Sequence, residues 1–128
     1  MRLLLDTHVW LWLATEPERV PPRTRDLVVA GQQILWSAVC VWEIATKYAS
    51  GKLELPAAPR EFVRTRSRMA GADSLEITHE HALASGSLPR HHTDPFDRFL
   101  VAQAQVEGLT LVTGDPKLSA YDVEILWD

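Results

Sequence analysis

The sequence predicts an α/β fold built on a mainly parallel sheet covered by helices on both faces. Three observations carry that expectation. Short apolar runs of strand length recur along the chain and are separated by helical segments, the alternation that parallel crossover units produce. The first run, Leu3-Leu4-Leu5, is apolar at consecutive positions, as a strand buried on both faces requires. The 128 residues have the usual size of one domain and contain no internal repeat or low-complexity tract, so residues 1–128 are expected to share one core.

The elements follow in order. Residues 2–6 form a short apolar run ending in an acid and read as the first strand, and residues 7–15 read as a helix. Residues 16–22 hold three prolines and form a loop; residues 23–30 make a second helix that Gly31 stops. Residues 33–37 are the second strand, and Ser37 is placed to cap a helix over 38–50 whose end is marked by Gly51. Residues 59–70 form a basic helix ending at Gly71, residues 74–78 a third strand, and residues 79–85 a short helix. After a loop at 88–93, Asp94 and Pro95 suit the N-cap and first position of a helix running to 107. Residues 109–113 are a strand, residues 116–121 a turn or short helix, and residues 123–127 a closing strand.

Composition excludes several classes of function. Hydrophobic residues make up 46% and charged residues 23%, which leaves no room for a large disordered region. Cys40 is the single cysteine, so neither an internal disulfide nor a Cys-rich zinc site can form, and a reducing compartment fits. Asp6 interrupts the N-terminal apolar run after three leucines, so no signal-peptide core forms and a cytoplasmic location is expected. The longest apolar stretches, such as residues 9–14, fall far short of the ~20 residues that cross a bilayer, so no membrane association is expected. A formal net charge of -4 argues against a general nucleic-acid binder, and any such contact must be local or metal-assisted. Phosphate-loop, dinucleotide and Gly-x-Ser-x-Gly patterns are missing.

The acids are where chemistry collects. Asp6 ends the first strand and Asp115 follows the fourth, so in a parallel sheet both project from one edge, where α/β folds bind ligands. Glu43 lies in the helix after the second strand and Asp97 in the first turn of the helix opened by Asp94-Pro95, and both helices begin at that edge. Gathered carboxylates repel one another unless a cation compensates. Oxygen donors without His or thiolate select Mg²⁺ or Mn²⁺, and such a site suits phosphodiester hydrolysis. Each acid also has a plainer reading. Asp6, Asp94 and Asp115 can cap the helices or turn that follow them, Asp97 can be a favourable first-turn charge, and Glu43 with Lys47 can be a solvent-facing i,i+4 pair.

Four segments together resemble a known family. Leu4-Leu5-Asp6-Thr7-His8, Trp42-Glu43-Ile44-Ala45 with Gly51-Lys52-Leu53, His92-Thr93-Asp94-Pro95-Phe96-Asp97-Arg98 with Ala102-Gln103-Ala104, and Val112-Thr113-Gly114-Asp115 are similar to the successive motifs of PIN-domain VapC-type toxins. The resemblance spans nearly the whole chain, and the Asp-Pro-Phe-Asp-Arg block is its most specific part. It implies a PIN-like three-layer α/β/α domain with a five-stranded parallel sheet and a Mg²⁺ or Mn²⁺ site. It further implies cleavage of RNA, with a 5′-phosphate product and a structured target such as tRNA or rRNA, and neutralisation by a cognate antitoxin. By position, Asp6, Glu43, Asp97 and Asp115 match the family's acidic quartet, and Asp94 is either a further ligand or a helix cap.

Other residues carry weaker signals. Arg60, Arg64 and Arg68 recur every four residues and form one basic stripe, read as a solvated face or as a contact for RNA or antitoxin. Arg98 can meet a phosphate near the metal or form a salt bridge, and His91 and His92 can orient Asp94 or the substrate. His79 and His81 are two apart, which does not suit a zinc pair on a helix. Trp10, Trp12, Trp36, Trp42 and Trp127 are assigned to core or dimer surface, and a homodimer is the expected assembly; base stacking would need an exposed ring. Two other functions compete with the ribonuclease. One is metal-dependent hydrolysis of DNA or a phosphate monoester; the other is non-catalytic protein binding through the Arg60 stripe and exposed tryptophans.

Overall fold

The computed structural model describes residues 1–30 and 33–128, with the side chains of residues 68–70 left out. Its strands are β1 (Arg2–Leu5), β2 (Gln33–Ser37), β3 (Asp73–Leu75), β4 (Thr110–Val112) and β5 (Ile125–Leu126). The helices are α1 (Thr7–Thr15), α2 (Pro22–Val29), α3 (Ala38–Ala49), α4 (Pro59–Ala70), α5 (His79–Ser87) and α6 (Pro95–Glu107), with 3-10 turns at Pro17–Arg19 and Pro116–Ala120. All strand pairs are parallel, in the order β3-β2-β1-β4-β5, and the helices flank the sheet in an α/β/α arrangement.

β1 sits in the middle, pairing Leu4 with Leu35 on one side and with Leu111 on the other. Helices cover both faces of a central parallel strand, so consecutive side chains must all be apolar, and Leu3, Leu4 and Leu5 are each at most 1% exposed. Each such burial contributes roughly 1.5–3 kcal/mol. Trp10 of α1 stacks on Trp36 of β2 with ring centroids 3.9 Å apart, which ties the first helix to the sheet.

The strand order decides where a site can form. From β1 the chain moves to β2 and β3 on one side, then returns to β4 and β5 on the other. The two directions part between β1 and β4, and beyond the carboxyl ends of these strands the connections diverge and leave a crevice. Asp6 and Thr113 stand at its two lips.

Several expected bounds shift for physical reasons. β3 covers Asp73–Leu75 rather than 74–78, because Thr78 leaves the ladder to cap α5. Its hydroxyl accepts from the His81 N–H while His81 Nδ1 accepts from the Thr78 N–H, a reciprocal cap that closes the strand early. β5 shrinks to two residues because, at the sheet edge, only β4 holds it. α2 begins at Pro22, one residue earlier than expected, since proline is tolerated in a first helical turn. The helix stop assigned to Gly31 lies outside the described residues. Among those described, no helix is long and apolar enough to cross a membrane.

Candidate metal centre

Asp6 is the N-cap of α1. Its Oδ1 accepts from the Thr7 N–H at 2.7 Å, and its Oδ2 accepts from the Thr113 hydroxyl at 2.7 Å, with His8 Nδ1 3.3 Å away. His8 Nε2 accepts from the Gly114 N–H, so Nδ1 carries the proton and faces the carboxylate. Asp6 is 2% exposed, and that burial raises its pKa against the pull of His8, Thr113 and Thr7, with the Glu43 charge pushing the same way as burial.

Glu43 lies on the inward face of α3 and is 5% exposed. The Thr7 hydroxyl donates to Oε1 at 2.6 Å, and the Lys47 ammonium donates to Oε2. The i,i+4 pair read from the sequence therefore forms, but its carboxylate is buried rather than facing solvent. Burial opposes the charge of Lys47, yet Glu43, Asp94 and Asp97 together hold its pKa above the ordinary value.

α6 presents the remaining acids. Asp94 Oδ1 accepts from the N–H groups of Phe96 and Asp97, so it caps the helix, and it also lines the cavity. Asp97, one turn in, has its pKa pushed up to about 8, first by burial and then by the charges of Asp6, Asp94, Glu43 and Asp115. Asp115 caps the 3-10 turn after β4 through the Lys117 N–H; that bond and His92 hold its pKa below the ordinary value, although burial opposes them.

Asp6, Glu43, Asp94 and Asp97 line one cavity of about 290 Å³ with Thr7, His8, Lys47 and Lys52. Asp115 is not on that lining. It joins the group through His92, whose Nε2 is 3.1 Å from Asp115 Oδ2 and 3.1 Å from Asp97 Oδ2, and these three side chains are close enough to share an ion. The donor set fits a hard divalent cation, because oxygens dominate it and a cation would offset both the burial of Asp97 and the neighbouring charges that raise its pKa. Cys40 lies buried next to the strand end, and desolvation pushes its thiol well above the ordinary value, so it stays a neutral thiol and not a soft ligand.

Other expected residues fall elsewhere. Arg60 and Arg64 are exposed beside an apolar cavity of about 360 Å³ lined by Val41 and Ala45 of α3 and Val63 of α4, which shares no residue with the acidic one. The side chain of Arg68 lies outside the described residues. Arg98 donates to the carbonyls of Ser85, Leu88 and Pro89 and reaches the Tyr121 hydroxyl. It braces the loop before α6, and among the described residues it makes no salt bridge. His91 packs edge-on against Tyr121. His81 is buried against Glu107 and Gln103, and so joins α5 to α6. Among the tryptophans Trp42 is half exposed, edge-on to Phe96.

Sequence reasoning missed Thr7, His8 and Thr113 as partners of the acids, and Lys47 and Lys52 as cavity residues. Thr7 and His8 stand next to Asp6 in the first motif, and Thr113 two before Asp115, but their hydrogen bonds depend on sheet order.

Comparison with known proteins agrees with this geometry. The PIN domain family profile matches residues 3–124. Ribonuclease VapC22 of Mycobacterium tuberculosis is 25% identical over 120 residues, which cover 93% of this chain and 91% of that protein. Ribonuclease VapC16 of the same organism is 42% identical over 57 residues, 42% of this chain and only 40% of that protein. The fold is similar to a chain in the crystal structure of VapBC2 from Rickettsia felis bound to a DNA fragment from their promoter. The TM-score is 0.70 at 17% identity, over all of both chains.

Proposed function

Since the chain belongs to the PIN-domain family, we propose that it is a Mg²⁺- or Mn²⁺-dependent endoribonuclease, the toxin of a toxin–antitoxin pair, and that residues 1–128 form its single nuclease domain. The observation that carries this reading is the cavity at the β1/β4 switch, where four carboxylates meet and Asp97 is pushed up to about 8. Relatives named as ribonucleases and a structural neighbour in a VapBC complex support the substrate class and the antitoxin partner.

Asp6, Glu43, Asp97 and Asp115 would hold the metal, with Asp94 beside them as cap and cavity wall. A divalent ion there supplies charge neutralisation at a phosphodiester and lowers the pKa of water. The protein's own part is positioning. Thr7, Thr113 and His8 fix the Asp6 carboxylate, Thr7 and Lys47 fix Glu43, and His92 holds Asp97 near Asp115. Residues locked in this way need little reorganisation when charge develops on the substrate.

An antitoxin tail is proposed to inhibit by placing Arg or Lys among the same acids, as Lys47 already does at Glu43. The proposed assembly is a cytoplasmic homodimer, with half-exposed Trp42 as a candidate for its surface. The test is cleavage of tRNA and rRNA by purified protein with Mg²⁺ or Mn²⁺. Activity that stops on chelation with EDTA is expected, and undiminished cleavage in EDTA defeats the proposal.

A further inference from the structure

A polyanion that approaches four clustered carboxylates on a chain of net charge -4 is repelled, and a divalent ion at the acids offsets that only at the phosphate it meets, so a positive side chain at the cavity would help to hold the neighbouring backbone. Two lysines line the cavity, Lys47 and Lys52. They differ in what they already do. The Lys47 ammonium is bonded to Glu43 inside α3. Lys52 is exposed, and among the described residues its ammonium makes no ion pair or hydrogen bond.

The turn that delivers Lys52 is built for it. α3 ends at Ala49, and Gly51 follows with φ 75°, a left-handed conformation that glycine adopts without strain. The Lys52 N–H then donates back to the Lys47 carbonyl at 2.8 Å, the six-to-one bond of a Schellman ending. The chain thereby reverses over the last turn of α3 and sets Lys52 and Leu53 on the cavity wall instead of leading them away.

Resting on the nuclease reading above, we propose that Lys52 grips an RNA backbone phosphate next to the bond to be cut, while Lys47 stays with Glu43. An ammonium suits this task as a compact charge with three rotatable donors, able to meet a phosphate without a fixed approach angle. The alternative is that Lys52 only offsets the charge of the acids. The two differ in what removal of the lysine does to RNA.

The experiment compares the parent, Lys52→Gln and Lys52→Arg by binding to a single-stranded RNA oligonucleotide across a salt series and by Mn²⁺-dependent thermal stabilisation. One lost phosphate contact lowers the slope of log affinity against log salt by ~0.7, which corresponds to about fivefold weaker binding near 0.1 M salt. Lys52→Arg should restore most of this, and KM for RNA cleavage should rise in Lys52→Gln while kcat is kept. Mn²⁺ stabilisation should be unchanged or larger in Lys52→Gln, because a positive charge has left the metal's surroundings. Parental affinity and salt slope in Lys52→Gln, with tighter Mn²⁺ binding, would reduce Lys52 to a counter-charge. If the parent binds and cleaves RNA and Lys52→Gln matches it, the lysine contact alone is wrong; a parent that binds no RNA removes both readings.

Discussion

His92 Nε2 lies 3.1 Å from Asp97 Oδ2 while Nδ1 of the same ring accepts from the Asp94 N–H. The second bond decides the chemistry of the first. A ring whose Nδ1 is an acceptor carries its proton on Nε2, so in this arrangement His92 faces Asp97 and Asp115 as a donor that holds two carboxylates together.

His92→Ala should therefore weaken Mn²⁺ binding without abolishing it. Losing such an orienting partner typically costs about 10–100-fold in metal affinity or activity. Titration calorimetry reads this directly, and affinity equal to the parent's would show that the ring orients nothing.

Asp97 contributes to the pH dependence of the metal-free protein. Its folded pKa of about 8 lies above the ordinary 3.8, so the stability it contributes is fully present below 3.8 and is lost as pH rises through 8. Asp97→Asn removes that loss, and its melting temperature should gain on the parent's steadily from about pH 4 to about pH 8, then level off. The stabilisation that Mn²⁺ gives the parent should grow over the same window, because the ion must displace the Asp97 proton. The Asn variant should show no Mn²⁺ stabilisation and no cleavage. A constant difference in melting temperature across the window would contradict a raised pKa at Asp97.

Arg98→Lys keeps the charge but cannot span three carbonyls and a hydroxyl as the guanidinium does. Stability should fall by roughly 1–3 kcal/mol in urea denaturation. The salt dependence of RNA binding should stay as in the parent; a lower slope would make Arg98 a phosphate contact after all.

Gly114 leaves no room for a side chain, since a Cβ there would sit 2.7 Å from Trp127 Cζ2. Gly114→Ala should destabilise by roughly 1–3 kcal/mol through overpacking. Trp127→Leu in the same chain should recover part of it, which a double-mutant cycle would show as a coupling between the two positions. Strict additivity would mean that the ring moves aside freely.

Much of this protein is written locally. α1, β2 and α4 fall on their expected bounds, and Asp94 caps α6 as its Asp-Pro pair predicts, because helix periodicity and capping depend on neighbours within a turn. The consecutive leucines of β1 announced a strand with two covered faces. Strand ends and helix starts point to Asp6, Glu43 and Asp97, which line one cavity, whereas Asp115 stands off that lining and joins it through His92.

What tertiary structure decided is which of these local pieces meet. The Thr113 hydroxyl reaches Asp6 across 107 residues only because β4 pairs with β1, and no spacing in the sequence encodes that pairing. The same holds for Lys52, turned into the cavity by a reversal at Gly51, for His92 between two acids, and for Arg98, drawn onto the carbonyls of the loop before α6. Caps and periods are set by forces acting within one turn of chain. The environment of a charge is set by which distant segments exclude water around it, and that exists only once the sheet has closed.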